Sequence, residues 1–328
     1  MSAVKIGTSI PVIDLSDYLA GGDPGPAAEA VREACENVGF FQVTGHQVPA
    51  EQLQGVVASM EKLVALPEDV KVSLDSPTGH LFRGVRILRD DDDEVMVERL
   101  QVNRFDDEDA AAAAGVSPDK LDYFHPNVWP DQIADLKAEW TECFASTREL
   151  GHQIMRLFAL ALELPIAYFD DALELDVSTF SANLYPAQKN LSTPESPRVI
   201  FPEHTDSGML TVLFQTGDYT GLQIRAKDGS WIDVPVVPGS FVINIGDLMA
   251  QWTNDRWMST THRVIASYDV GRSRVSIPTF YLPAVDTPIS PLPTCVPADS
   301  APNYPPTTPY EWEGVFIARA MQRNPGRV

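Results

Sequence analysis

The chain has 328 residues, 44% of them hydrophobic, with a formal net charge of −22 at pH 7 and a sequence pI near 4.5. That balance argues against a nucleic-acid partner, which needs a basic surface, and against electrostatic attachment to an anionic membrane. Cys35, Cys143 and Cys295 stand far apart with no CxxC pairing, the start lacks the apolar core of a signal peptide, and no apolar run nears the roughly 18 residues of a membrane span, so a soluble cytoplasmic protein with free thiols is expected.

Residues 10–15 (Ile-Pro-Val-Ile-Asp-Leu) read as a short strand, followed by a Gly/Pro loop over 21–26. Residues 27–38 show a helical pattern, with Ala30, Val31, Ala34 and Val38 on one side and Gly39 as the stop. A strand at 40–43 and a helix over 52–66, ended by Pro67, come next. Residues 81–105 read as a hairpin: 81–88 and 95–105 are extended, and Asp90-Asp91-Asp92-Asp93-Glu94 joins them. Five consecutive acids repel one another and favour water, so a solvated loop tip is expected. Residues 106–114 predict a short helix, with acids at its positive end and Gly115 closing it. The longest helical pattern spans 131–164, where Ile133, Leu136, Trp140, Phe144, Ile154, Leu157 and Phe158 recur at helical spacing. It is expected to pack along the core. His46, His80, His125 and His152 show no ligand spacing and read as structural or exposed.

The second half changes period. Residues 180–185 are extended, and short strands with turns at Lys227-Asp228-Gly229 and Pro238-Gly239 argue a sandwich or barrel. Three polar pairs recur there at two-residue spacing: Asn183 with Tyr185, His204 with Asp206, and Arg274 with Ser276. On a strand that spacing puts both side chains on one face. Each pair alone is common by chance; their order and setting make the pattern. His204 and Asp206, joined by a distant His262, supply the two imidazoles and one carboxylate that hold Fe(II) while leaving about three coordination positions open. Arg274 and Ser276 suit a carboxylate, which a guanidinium fork grips at two points. Segments 262–268 and 274–282 read as adjacent strands, which would bring His262 beside that clamp. Residues 283–309 are proline-rich and expected to wrap the core without regular structure. Thr308-Pro309 then signals a final helix over 310–322. No internal repeat is visible.

These motifs, with Gly221-Leu222-Gln223-Ile224, the run from Gly246 to Asn254 and the opening strand, helix and Gly39-Phe40-Phe41 segment, resemble the isopenicillin N synthase-like superfamily of Fe(II)/2-oxoglutarate dioxygenases. The resemblance covers most of the chain and is strongest over 181–291. It implies a mainly β fold with flanking helices, built on a double-stranded β-helix (jelly-roll) core. An N-terminal α/β region over 1–130 would pack on a unit of 131–328 holding the long helix, the core and a C-terminal helix, the whole forming one compact body. It also implies an enzyme that binds Fe(II) through His204, Asp206 and His262, with O2 and 2-oxoglutarate as cosubstrates. Arg274, Ser276 and the Tyr185 hydroxyl would hold 2-oxoglutarate, with Asn183 facing the same pocket. The expected reaction is oxidation of a C–H bond of a small molecule, by hydroxylation, desaturation or cyclisation, in specialised metabolism. Leu213 and Ile245 are expected to help keep the site dry. Because the superfamily places this hairpin at the pocket mouth, Arg83 and one of Gln101 or Asn103 are expected to contact a polar or anionic substrate. Two alternatives stay open here. One is a 2-oxoglutarate-independent oxidase or cyclase of the isopenicillin N synthase type, whose Arg-Ser pair would hold a substrate carboxylate. The other is a non-catalytic jelly-roll binding protein, whose mark would be a missing ligand; all three are present.

Overall fold

Among the described residues, twelve strands alternate inward and outward side chains to make two sheets around a common cavity. In chain order they are β1 (Val12–Asp14), β2 (Phe40–Thr44), β3 (Gly84–Arg89), β4 (Val95–Asn103), β5 (Thr179–Tyr185), β6 (Val199–His204), β7 (Leu210–Gln215), β8 (Leu222–Arg225), β9 (Trp231–Asp233), β10 (Phe241–Ile245), β11 (His262–Ile265) and β12 (Arg274–Tyr281). The computed structural model describes residues 10–315 except 190, 191, 194, 218, 220, 269 and 270. The large sheet runs β1-β2-β10-β7-β12-β5-β4-β3 and the small one β6-β11-β8-β9, a jelly-roll core. The N-terminal region supplies both flanks of the large sheet, β1 and β2 on one side and β3 and β4 on the other, so it is woven into the core and covers edges that would otherwise be open.

The long helix Leu136–Ala161 buries Trp140, Phe144, Leu150, Ile154, Leu157 and Phe158. Phe144 stacks on Phe180 of β5 at 5.1 Å, and Trp140 meets the same ring edge-on at 5.4 Å. Each such side chain removed from water contributes on the order of 2–3 kcal/mol. The helix begins later than its apolar spacing suggests, because residues 131–135 turn and Asp135 takes a left-handed φ of 64°. Helices Gly25–Asn37 and Ala50–Val64 pack against it. A further short helix, Glu68–Ser73, was not legible in the sequence. Its Lys71 Nζ donates to Glu98 Oε2 at 2.6 Å in a buried ion pair. Helix Glu108–Ala114 starts on Asp107, whose carboxylate accepts the Ala110 N–H at 2.9 Å, and ends at Gly115 with φ 102°.

Three expectations need correction. The acidic tip is only half a solvated loop: Asp91, Asp92 and Asp93 are exposed, but Arg198 Nη2 donates to Asp90 at 2.7 Å and Glu94 at 2.9 Å. The tip is pinned by a cation far away in the chain. Strands β11 and β12 are not neighbours: β11 pairs with β6 and β8, whereas β12 pairs with β5 and β7. The segment between them crosses from one sheet to the other, so His262 and Arg274 face the cavity from different walls. The proline-rich stretch contains a short 3-10 helix, Pro293–Cys295, and is tied down by a bridge between Ile289 and Thr307 and by Leu292 N–H on the Trp252 carbonyl at 2.8 Å. Residues 309–315 are helical, and the rest of the expected 310–322 helix lies outside the described residues. Among the described residues, no helix is long and apolar enough to cross a membrane.

Candidate active site

Every second residue of the central strands faces one cavity of about 1410 Å³. β5 contributes Thr179, Ser181, Asn183 and Tyr185, and β12 contributes Arg274, Ser276, Pro278 and Phe280. Opposite them stand His204 on β6 and His262 on β11, which are partners in register across the small sheet.

Strand β6 stops on His204, so His204 and Asp206 do not share one strand as their spacing suggests. The chain turns at 205–209, and Asp206 enters the cavity from that turn. The turn is clamped by residues 246–248: Asp247 N–H donates to the Asp206 carbonyl at 2.7 Å. Gly246 permits this approach, since a Cβ there would sit 2.2 Å from the Gly208 carbonyl oxygen. Asp206 Oδ1 then lies 3.8 Å from His204 Nε2 and 3.7 Å from His262 Nε2. One ligand atom from each of the three falls within 4.8 Å of the others.

The remaining polar atoms of the triad are already occupied. His204 Nδ1 lies 2.8 Å from the Pro202 carbonyl, and His262 Nδ1 lies 3.1 Å from that of Thr260. A carbonyl only accepts, so both rings carry their proton on Nδ1 and turn the Nε2 lone pair inward. Asp206 Oδ2 accepts from Thr211 Oγ1 at 2.5 Å and Asn244 Nδ2 at 2.8 Å, leaving Oδ1 for a metal. Burial, with His262 adjacent, pushes the His204 imidazole down to about 4, so it is neutral near pH 7. For Asp206, burial alone would raise the pKa, but the two imidazoles and the Asn244 and Thr211 hydrogen bonds outweigh it and keep the carboxyl below its ordinary value. Two imidazole nitrogens and one carboxylate oxygen with open space beside them fit Fe(II).

At the other wall Arg274 is 2% exposed. Its Nη1 donates to Gln215 Oε1 at 2.9 Å, and its guanidinium lies 4.8 Å from the Tyr185 ring centroid. Among the described residues its buried Nε has no partner, a donor that fits an incoming carboxylate. Ser276 is level with Asn183, whose Nδ2 donates to Ser276 Oγ at 3.3 Å. Tyr185 therefore meets Arg274 through its ring face. Sequence reasoning missed Thr211, Asn244 and Gln215. The readable signal for Asn244 was an amide in the strand Phe-Val-Ile-Asn-Ile, where the rest is apolar.

Of the hairpin residues, Arg83 and Gln101 line the cavity and Asn103 does not. Asn103 shares the alternation of Gln101, but its Nδ2 donates to the Val177 carbonyl at 2.9 Å and its Oδ1 accepts the Phe105 N–H at 3.1 Å. It secures the end of β4. Leu213 lines the cavity, whereas Ile245 is fully buried in the main core behind it. His46, His125 and His152 bond to the Gly239 carbonyl, Thr78 and Asp170 respectively.

A jelly roll carrying two histidines, one aspartate and a buried arginine clamp in one cavity defines a non-haem iron oxygenase. Known proteins place it more closely. The profile of the 2OG-Fe(II) oxygenase superfamily matches residues 177–283, and that of the non-haem dioxygenase in morphine synthesis N-terminal region matches 10–132. The chain is 33% identical over 308 residues to the 2-oxoglutarate-Fe(II) type oxidoreductase hxnY of Emericella nidulans, covering 92% of this chain and 87% of that one. It is 30% identical over 293 residues to the 2-oxoglutarate-dependent dioxygenase caaD of Aspergillus niger, covering 86% of each. Among solved structures, a full-length Neurospora crassa protein in complex with alpha-KG and 5-formyluracil matches with a TM-score of 0.83 at 27% identity, over 97% of this chain and 98% of that one. The chain belongs to the 2OG-Fe(II) oxygenase superfamily, as a 2-oxoglutarate-dependent oxygenase that uses Fe(II) and O2 and acts on a small molecule.

When bound, Fe(II) and 2-oxoglutarate supply oxidation of a C–H bond by dioxygen, with succinate and CO2 as co-products. The protein's part is positional. The Nδ1 hydrogen bonds orient both imidazoles, Thr211 and Asn244 hold the aspartate, and Phe40, Leu213 and Leu222 make part of the cavity wall apolar.

Proposed function

We propose that Arg274 and Ser276, supported by Asn183 and Tyr185, hold the distal carboxylate of 2-oxoglutarate, and that a small organic substrate lies between the metal ligands and the β3–β4 hairpin. The observation that carries this is the buried Arg274 Nε, which has no partner among the described residues and lies in the same cavity as the three converging ligand atoms. Relatives support a small-molecule substrate: the Neurospora crassa protein is recorded with thymine, and JOX2 with JA. A Streptomyces hygroscopicus relative, 28% identical over 262 residues, is named validamycin A dioxygenase, in keeping with a role in specialised metabolism. An intracellular, reducing location completes the reading; all three cysteines are unpaired.

The test is 2-oxoglutarate binding to the Fe(II)-loaded protein without oxygen, followed by the metal-to-ligand absorption band. Wild type is expected to show the band and, with oxygen and substrate, to form succinate in step with product. Product formed without succinate would assign the clamp to a substrate carboxylate and overturn the cosubstrate reading.

A further inference from the structure

The cavity carries more positive charge than its cosubstrate end uses. Arg83, Arg86 and Arg99 also line it. Arg86 and Arg99 stand directly opposite each other across β3 and β4, and like charges so placed destabilise a strand pair. Arg83, just before β3, is 2% exposed. Its Nη1 donates to the Phe82 carbonyl at 2.7 Å, Nη2 of Arg99 to that of Leu81 at 2.9 Å, and Nη2 of Arg86 to that of His80 at 3.3 Å. The Nε of each is buried with no partner among the described residues.

Among the described residues, only Arg86 of the three has an acid in contact. Arg86 has Asp75 at 3.4 Å, a side chain 47% exposed. Glu313 lines the cavity too, but it accepts a hydrogen bond from Ser207 Oγ at 2.9 Å and acts on Arg83 only through space. Burial lowers both Arg83 and Arg99 to about 10. By contrast, buried Lys71 is paired with Glu98, and the half-buried Arg104 and Arg148 share Asp176. An unpaired buried charge is costly, and the usual compensation is an opposite charge.

Arg83 is also distant from the clamp. Gly84, the next residue, is level with Gln101 and hence with Ser181, four residues along β5 from Tyr185. β3 is three strands from β12. Strand rise and spacing then separate Arg83 from Arg274 by more than about 10 Å, too far to share one carboxylate.

We propose that the substrate is a small organic carboxylate whose anionic group is gripped by Arg83, with Arg99 and Arg86 beside it. This rests on the reading of Arg274 as the cosubstrate clamp. A planar monoanion matches the guanidinium fork.

The test uses the full chain loaded with Mn(II) and saturating 2-oxoglutarate, so that Arg274 is already occupied. Benzoate and cyclohexanecarboxylate are compared with benzamide and cyclohexanecarboxamide by calorimetry. The acids are expected to bind at least about tenfold more tightly than the amides. Arg83→Gln should weaken acid binding roughly tenfold to a hundredfold, with 2-oxoglutarate affinity changed by less than about twofold. Arg83→Lys should recover part of the loss. The unliganded melting temperature of Arg83→Gln should not fall, because the change removes an unpaired buried cation; that guards against mistaking misfolding for lost binding. Equal binding of acid and amide, no binding of either acid, or unchanged acid binding in both Arg83→Gln and Arg99→Gln would overturn the proposal. Loss of 2-oxoglutarate together with the acid in Arg83→Gln would also overturn it, while leaving the oxygenase reading intact. Failure of wild type to bind 2-oxoglutarate would instead strike at that underlying reading.

Discussion

Arg274 and Arg83 line the same cavity, each 2% exposed and each with a buried Nε that has no partner among the described residues, yet they are held differently. Arg274 lies on β12 inside the large sheet, fixed by Gln215 and backed by the Tyr185 ring. Gly221 leaves its guanidinium room, since a Cβ there would come 3.2 Å from Cζ. Arg83 sits just before an edge strand, and its guanidinium donates to the neighbouring Phe82 carbonyl. A ligand that never changes can be served by a group locked between strands. One particular to this protein is better served from a hairpin, where a substitution disturbs fewer neighbours.

The largest effect tests what both ends share, the metal between them. His204→Ala, Asp206→Ala and His262→Ala are each expected to abolish turnover and reduce Fe(II) binding below detection in an anaerobic titration, while far-UV circular dichroism stays unchanged. Normal iron affinity in all three would remove the metal site. Next comes the locked end. Arg274→Gln loses a charge-assisted fork worth about 3 kcal/mol, so the 2-oxoglutarate Kd should rise roughly a hundredfold. Arg274→Lys should recover only part, because an ammonium supplies charge without the planar fork.

The comparison also applies to neighbours on β4. Glu98 neutralises Lys71 at the cavity wall, whereas Arg99 faces the cavity with no acid in contact among the described residues. Glu98→Gln strands Lys71 as a buried charge and should lower stability by about 3 kcal/mol in denaturant unfolding, with 2-oxoglutarate binding unchanged. An equal loss in Arg83→Gln would mean that Arg83 is structural after all. A smaller effect is expected behind the metal. Asn244→Ala removes one of the two donors to Asp206 Oδ2 and should weaken Fe(II) binding about tenfold, measured by competition with a chelator.

The effect that is smallest at neutral pH concerns His80, beside Arg83. Burial, with Arg83, His125 and Arg86 nearby, holds its imidazole down to about 3, against about 6.5 when unfolded. As pH falls the unfolded chain takes up this proton first, so His80 progressively lowers stability below about pH 6.5 and ceases to add to the loss below about pH 3. His80→Gln should therefore show a shallower fall in stability between pH 6.5 and 4. Parallel curves for the two proteins would show that His80 does not titrate in this way.

Much of this molecule could be read locally. Helical spacing marked Trp140, Phe144 and Phe158 as buried, Asp107 and Gly115 bound a short helix close to the expected limits, and two-residue spacing paired Arg274 with Ser276 and Asn183 with Tyr185. These features survive because periodicity states which face a side chain takes, and a few residue types state what chemistry that face supports. What lies opposite a face depends on how the sheets assemble. Only the tertiary structure placed β11 and β12 in different sheets, brought Asp206 off the strand that ends at His204, and put Thr211 and Asn244 behind it. It also turned Asn103 toward the backbone and gave the acidic tip to Arg198, while leaving Arg83 with no acid in contact among the described residues. Those outcomes depend on which distant groups close the remaining hydrogen bonds once both sheets have buried their apolar faces, and no local spacing encodes that choice.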